Sequence, residues 1–223
     1  MSNEILYVGI SGKKGHGKDT FANKLIIDLY NKGINAQLYH YADPIKDLVV
    51  SVFGLDPDVV YNLTPEAAKL RDEPTYLRRL DFPTCFRDDY YKHLTTREIL
   101  QIMGTEIGGR TDTTIGRQNC PTIWSHAPFR KQWPEDTNVV IIPDVRFIDE
   151  VESIKENDGL VFRIIRPSVE NKDSHISETA LDSYPIHKFS AVLYNDGSKE
   201  KLFENYMDPV IKIIEEKLDD RHC

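Results

Sequence analysis

Gly12-Lys13-Lys14-Gly15-His16-Gly17-Lys18-Asp19-Thr20 is the stretch on which the fold of this chain is read. It has the spacing G-x-x-x-x-G-K and follows the β-rich run Ile5 to Ile10. After it Phe21, Ala22, Leu25, Ile26 and Leu29 recur at helical spacing until Lys32-Gly33. Each part meets a physical need. Glycines let the backbone curl so that successive N–H groups face one anion. The helix start adds roughly half a positive charge at that point. Lys18 supplies a mobile cation able to follow a transferring phosphoryl group. Gly12, Lys14, Gly15, His16, Gly17, Lys18, Asp19 and Thr20 are therefore the expected phosphate-binding residues. Asp19 stands where such a loop usually has Ser or Thr. Either Thr20 supplies the hydroxyl that touches Mg²⁺, or Asp19 holds the ion directly or through water.

Outward from this loop the pattern of a short β-rich run followed by a helix repeats. Ala36 to Tyr41 ends at Ala42-Asp43-Pro44, and the helix Ile45 to Phe53 stops at Gly54. Asn138 to Ile142 ends at Pro143-Asp144-Val145-Arg146, with Ile148, Val151 and Ile154 marking a helix. Leu160 to Ile165 ends at Arg166-Pro167, and Ala191 to Tyr194 meets Asn195-Asp196-Gly197 before a final helix carrying Leu202, Tyr206, Val210, Ile213 and Ile214. Such alternation predicts one three-layer α/β domain, a five-stranded parallel sheet with helices on both faces. Its core is expected at 1–54, 136–166 and 189–223. Residues 56–93 hold four prolines and broken periodicity. They read as a partly helical insertion anchored by Leu70, Tyr76, Leu77, Leu80, Phe82, Phe86 and Tyr90. Thr95-Thr96-Arg97-Glu98 then offers a helix cap, and Ile99, Ile102 and Met103 an apolar face.

The whole chain has 223 residues, with 28 Lys and Arg against 36 Asp and Glu, a formal charge of -8. That balance lowers the case for a duplex nucleic-acid binder, which needs phosphate-neutralising cations. Cys85, Cys120 and Cys223 are far apart and form no CxxC pair, as expected of reduced thiols. No signal peptide is expected from the opening residues, and no apolar run approaches the ~20 residues of a membrane span. A soluble cytoplasmic protein is expected, with no nucleic-acid or membrane partner.

A GTPase switch would carry N-K-x-D and D-x-x-G. Asn171-Lys172-Asp173 has its aspartate one place early, and Phe147 stands where the glycine after Asp144 is needed. Gly17-Lys18-Asp19-Thr20, the block Thr96-Arg97-Glu98-Ile99-Leu100-Gln101-Ile102-Met103-Gly104-Thr105-Glu106, Asp144-Val145-Arg146-Phe147 and Asn195-Asp196-Gly197-Ser198 occur in this order. Together they resemble the phage-type deoxynucleoside monophosphate kinases, relatives of adenylate kinase and dephospho-coenzyme A kinase. The resemblance runs from residue 5 to about 218 and is weakest over 54–93.

The resemblance implies a P-loop kinase fold with an acceptor-binding insertion (about 55–135) and a short lid (about 167–188). It implies ATP- and Mg²⁺-dependent phosphorylation of a deoxynucleoside 5′-monophosphate (dNMP), in the host cytoplasm if the gene is a phage's. Lys18, Arg146 and Arg166 are then the expected catalytic residues, Arg166 as the lid arginine with Arg163 sharing its face. Asn195 and Gly197 join the ATP site through the turn against adenine. Arg97 and Gln101, four apart on one helix face, and Arg110 after Gly108-Gly109 are expected at the acceptor, with Asp43, Lys46 and Asp144. Asp144 also joins Asp19 and Thr20 as a candidate for Mg²⁺, being placed at the carboxyl end of a strand. His175 is a further candidate for phosphate contact. A turn-capping role for Asp144 and a solvated face for Arg97 and Gln101 are the structural alternatives. Two other functions stay open: a kinase of another phosphorylated acceptor such as dephospho-coenzyme A, and a nucleotide-binding regulatory ATPase. So does a homodimer.

Overall fold

Along β1 (Leu6–Ser11), Leu6, Val8 and Ile10 pack to one side and Tyr7 to the other, and this two-residue alternation divides the interior into two apolar clusters. The structure, a computed structural model, describes residues 4–80, 91–104, 124–169 and 176–222. The further elements in chain order are α1 (Lys18–Asn31), β2 (Ala36–Leu38), α2 (Asp43–Phe53), α3 (Pro57–Tyr61), α4 (Pro65–Leu70), β3 (Pro74–Leu80), β4 (Tyr91–Thr95) and α5 (Thr96–Ile102). Then come α6 (Ala127–Arg130), β5 (Val139–Val145), α7 (Ile148–Glu156), β6 (Leu160–Ile165), α8 (Ile176–Thr179), β7 (Ala191–Tyr194) and α9 (Lys199–His222). They fall into two compact units, Met1–Tyr41 with Asn119–Cys223, and Ala42–Gln118.

In the first unit five strands pair in the order β2-β5-β1-β6-β7, every neighbour parallel, as the alternating pattern predicts. Val139, Ile141, Phe162 and Ile164 join Leu6, Val8 and Ile10 against α1 and α9, whose Phe21, Leu25, Leu29, Val210 and Ile214 are fully buried. Val140, Ile142 and Val161 turn the other way, with Val151 and Ile154 of α7. Helices thus cover both faces. Burying an aliphatic or aromatic side chain of this size contributes ~1.5–3 kcal/mol, so the sheet interior dominates the stability of this unit. Parallel pairing also brings every strand's carboxyl end to one edge. The loops after β1, β5, β6 and β7 leave from there.

Two strands end away from their expected positions. β2 stops at Leu38, although the Tyr39 N–H still donates to the Ile141 carbonyl (2.9 Å). β5 continues past Ile142 through Pro143 and Asp144 to Val145. Gly9 pairs with Ile142 and Ser11 with Val145, so β5 carries one extra residue there. Pro143, which has no N–H to give, is tolerated because the ladder to β2 has already ended at Ile141. In the segment read as a lid, Leu181 and Tyr184 are buried in the second cluster with Phe189.

The second unit holds α2 to α5 and an antiparallel pair, β3 with β4. The helices were expected; the hairpin strands were not. Its register sets Arg78 against His93 and Arg79 against Lys92, polar pairs that leave no apolar alternation to read. Leu70 and Tyr76, expected as anchors, are 54% and 63% exposed. Phe82, Phe86 and Tyr90 lie outside the described residues. The cap on α5 forms as read. Thr95 Oγ1 accepts the Glu98 N–H (3.1 Å), and the Thr95 N–H donates to Glu98 Oε2 (2.9 Å). Ile99 and Met103 are buried behind it. Among the described residues no helix is long and apolar enough to cross a membrane.

Candidate active site

The turn between β1 and α1 is held against the end of β6. A Cβ on Gly12 would stand 2.6 Å from the Ile164 carbonyl oxygen, so no other residue fits without moving that strand. Gly17, the N-cap of α1, has φ +94°, in the left-handed region that glycine occupies without strain. The His16 ring is buried behind the loop. Its Nδ1 lies 3.1 Å from the Ile164 carbonyl and 3.3 Å from the Arg166 nitrogen, so it donates to the first in one tautomer and accepts the Arg166 N–H in the other. Burial, reinforced by the neighbouring Lys18, Arg163 and Lys13 cations, holds its pKa below the usual histidine value. Asn195, buried at the end of β7, donates from Nδ2 to the His16 carbonyl (3.0 Å).

Lys18 is the first residue of α1 and is 6% exposed. Its ammonium folds back to donate to the Lys13 carbonyl (3.0 Å). Burial, with help from the Arg146 cation, lowers its pKa to about 8 against the opposing pull of Asp19, Glu178 and Asp144. One cation thus stands in a field shared by a second cation and three carboxylates. The Lys14 N–H donates to Glu178 Oε2 (2.8 Å), and the Arg146 guanidinium donates to Glu178 Oε1. The loop therefore already holds one anionic group on its backbone. Asp144, at the bulge in β5, accepts the Tyr41 N–H (2.9 Å).

A cavity of about 350 Å³ opens in front of this loop, lined by Gly15, Gly17, Lys18, Asp19 and Thr20 together with Arg166, Asn195 and Gly197. Arg166 donates from Nη1 to the Gly15 carbonyl (3.4 Å), and its buried Nε has no hydrogen-bond partner. Glycines, a buried lysine and an arginine around one polar cavity suit a polyphosphate. Residues 84–206, more than half of the chain, match the deoxynucleotide monophosphate kinase family. The chain belongs to that family. Over 214 residues it is 28% identical to the putative deoxynucleotide monophosphate kinase of Acanthamoeba polyphaga mimivirus, covering 92% of this chain and 96% of that one. It is 25% identical over 241 residues to the deoxynucleotide monophosphate kinase of Escherichia phage RB69, covering 87% and 95%. With the deoxynucleoside-5′-monophosphate kinase of Escherichia phage T5 the identity is 26% over 228 residues, covering 81% and 87%.

In this kinase eight of the residues expected to bind ATP or to catalyse line one cavity. Gly12 and His16 shape the loop from behind, and Arg146 and Lys14 share Glu178. Arg163 does not share the face of Arg166. The two are three positions apart, an odd separation, and Arg163 instead donates to Ser11 Oγ (2.7 Å) with its guanidinium 5.8 Å from the Phe189 ring. The acceptor candidates Asp43, Lys46, Arg97 and Gln101 belong to the second unit. There Lys46 donates to Asp43 (3.1 Å) and Arg97 makes a two-pronged pair with Asp72 (2.5 and 3.0 Å). Arg110 and His175 lie outside the described residues. Glu178 was missed by sequence reasoning, because a glutamate in a short polar helix looks solvated until the fold buries it. Gly12→Ala is expected to cost the kinase ~1–3 kcal/mol as an overpacked site, read as a lower urea midpoint with unchanged slope. An unchanged midpoint would show that β6 yields.

Proposed function

We propose that this protein transfers the γ-phosphoryl group of ATP to a deoxynucleoside 5′-monophosphate, releasing the dNDP and ADP. An acceptor phosphate oxygen attacks the γ-phosphorus in line, and the bond from that phosphorus to the bridging oxygen of ADP breaks. The acceptor is already an oxyanion near neutral pH, so no general base is required. The observation that carries this reading is the single cavity shared by Lys18, Arg166 and the glycine loop in a chain of this family. Loop N–H groups and Lys18 hold the β and γ phosphates, and Arg166 reaches the group in flight. Arg146 contributes to the same field, being close enough to Lys18 to lower its pKa. Asn195 and Gly197 form the wall proposed for the adenine. Arg97, Gln101, Asp43, Lys46 and Arg110 are proposed to receive the acceptor.

Mg²⁺ suits the donors at hand. Asp19 and Asp144 both act electrostatically on Lys18, and Thr20 adds a hydroxyl on the cavity wall. Such hard oxygen ligands, completed by phosphate oxygens and water, are what this ion takes, without a dedicated protein cage. When bound it neutralises charge on the phosphates. Asp19, Thr20 and Asp144 are the residues proposed to hold it.

The test is ADP release on addition of each dNMP in turn. Strong stimulation by one or more supports the reading; stimulation by dephospho-coenzyme A or by DNA instead would replace it. A pH profile gives an independent check. With a pKa of about 8, Lys18 in the free enzyme loses its proton above that pH. We expect kcat/KM for ATP to fall above about pH 8, with kcat holding to higher pH because bound triphosphate stabilises the ammonium. The sign for stability is opposite. Between about 8 and 10.5 the unfolded chain keeps a proton that the folded one has lost, so this group makes stability rise with pH across that window.

A further inference from the structure

Arg146 is held at two places. Its backbone N–H donates to Glu150 Oε2 (2.7 Å), which also accepts the Phe147 N–H (3.0 Å) where α7 begins. Its guanidinium donates to Glu178 Oε1. Glu178 Oε2 meanwhile accepts the Lys14 N–H of the loop (2.8 Å). The Glu178 side chain is 5% exposed and that of Arg146 35%, so the guanidinium is restrained yet open to a ligand. One buried carboxylate thus joins the end of β5 to the turn after β1. Its own place is set from behind. Leu181 is buried in the second apolar cluster, and the Tyr184 hydroxyl donates to Glu152 of α7 (2.6 Å). Burying a carboxylate is costly unless its charge is answered, and here a guanidinium and a loop N–H answer it. Beside a loop proposed to hold phosphates, however, the same charge repels a polyphosphate. It serves ATP binding badly. What it does well is fix an arginine whose planar fork must be aimed.

We infer that Glu178 is a positioning residue for phosphoryl transfer: its carboxylate holds the Arg146 guanidinium against the loop, aimed at the group in flight. This rests on the kinase reading and deepens it, by naming a residue that works through Arg146 and not through either substrate.

The experiment measures kcat and KM for wild type, Glu178→Gln, Arg146→Met and the double variant, using the dNMP that wild type phosphorylates fastest. Glu178→Gln should lower kcat roughly ten- to hundredfold, the scale of loss when a reacting group is misplaced by about 1 Å. KM for ATP should stay level or fall, because a repelling charge has gone. The double variant should have the kcat of Arg146→Met within about twofold, since Glu178 acts through that arginine. A wild-type kcat in Glu178→Gln overturns the inference, with or without a lowered Tm. So does a KM for ATP that rises as steeply as kcat falls, which would make the carboxylate a support of the loop through Lys14. Full additivity in the double variant overturns it as well. Should Glu178→Gln fail to fold, Glu178→Asp decides, because it keeps the charge on an arm too short to span Arg146 and Lys14 together. A lowered kcat with level KM for ATP then supports the inference, and a wild-type kcat overturns it. A wild type that phosphorylates no dNMP overturns the kinase reading together with this one, whereas wild-type turnover with unaltered variants at position 178 overturns only the role of Glu178.

Discussion

Lys18→Ala is expected to lower kcat by at least ~10²–10³-fold, the loss that follows removal of one preorganised electrostatic donor. The ammonium is held at the start of α1 and folded onto the Lys13 carbonyl, buried among Arg146, Asp19, Glu178 and Asp144. Burial disfavours its charge and brings its pKa down to about 8. On the proposed reading that cost is recovered when phosphate oxygens replace the Lys13 carbonyl as its partner. In the proposed reaction the charge acts most strongly where negative charge gathers, on the group being transferred. Steady-state kinetics at saturating ATP and acceptor check this. A kcat within threefold of wild type would remove Lys18 from the reaction. The folded state should not suffer, because alanine is a good helix former at the start of α1 and deletes a desolvated charge.

Arg166→Ala is expected to cost roughly 10³-fold in kcat, the lower end of what an arginine directed at a transferring phosphoryl group supplies. Arg166 leaves β6 at the cavity wall, and its backbone N–H faces the His16 ring. Its Nη1 reaches only the Gly15 carbonyl at 3.4 Å, a weak contact that an incoming phosphate can replace at little loss. KM for either substrate should change much less than kcat, since the guanidinium is proposed to bind the transition state better than the ground state. Arg166→Lys should restore little, because a lysine lacks the planar fork. A variant that loses ATP binding while keeping kcat would instead make Arg166 part of the resting nucleotide site.

The parts legible in the sequence are those whose signal is local. The β1 turn, the 3.6-residue spacing of Phe21, Leu25 and Leu29, and the Thr95–Glu98 cap each follow from contacts a few residues apart, and the structure forms all three. The hairpin β3–β4 was not legible, because its polar cross-strand pairs leave no alternation in either strand. The end of β5 was misplaced for a related reason. Pro143 reads as a stop, yet a register shift against β1 carries it inside the strand.

What the sequence by itself determined is the glycine loop after β1, the parallel α/β layering and the family block around Arg97, since glycine geometry and apolar period act within one segment. Only the tertiary structure decided which charges meet. Glu178 reaches Lys14 and Arg146, Asn195 ties β7 to His16, and Arg163 turns to Ser11 instead of the cavity. These partners lie between 32 and 179 residues apart in the chain. Such pairings depend on which strand ends share an edge, and that is settled by the packing of the whole sheet, not by any neighbour in sequence.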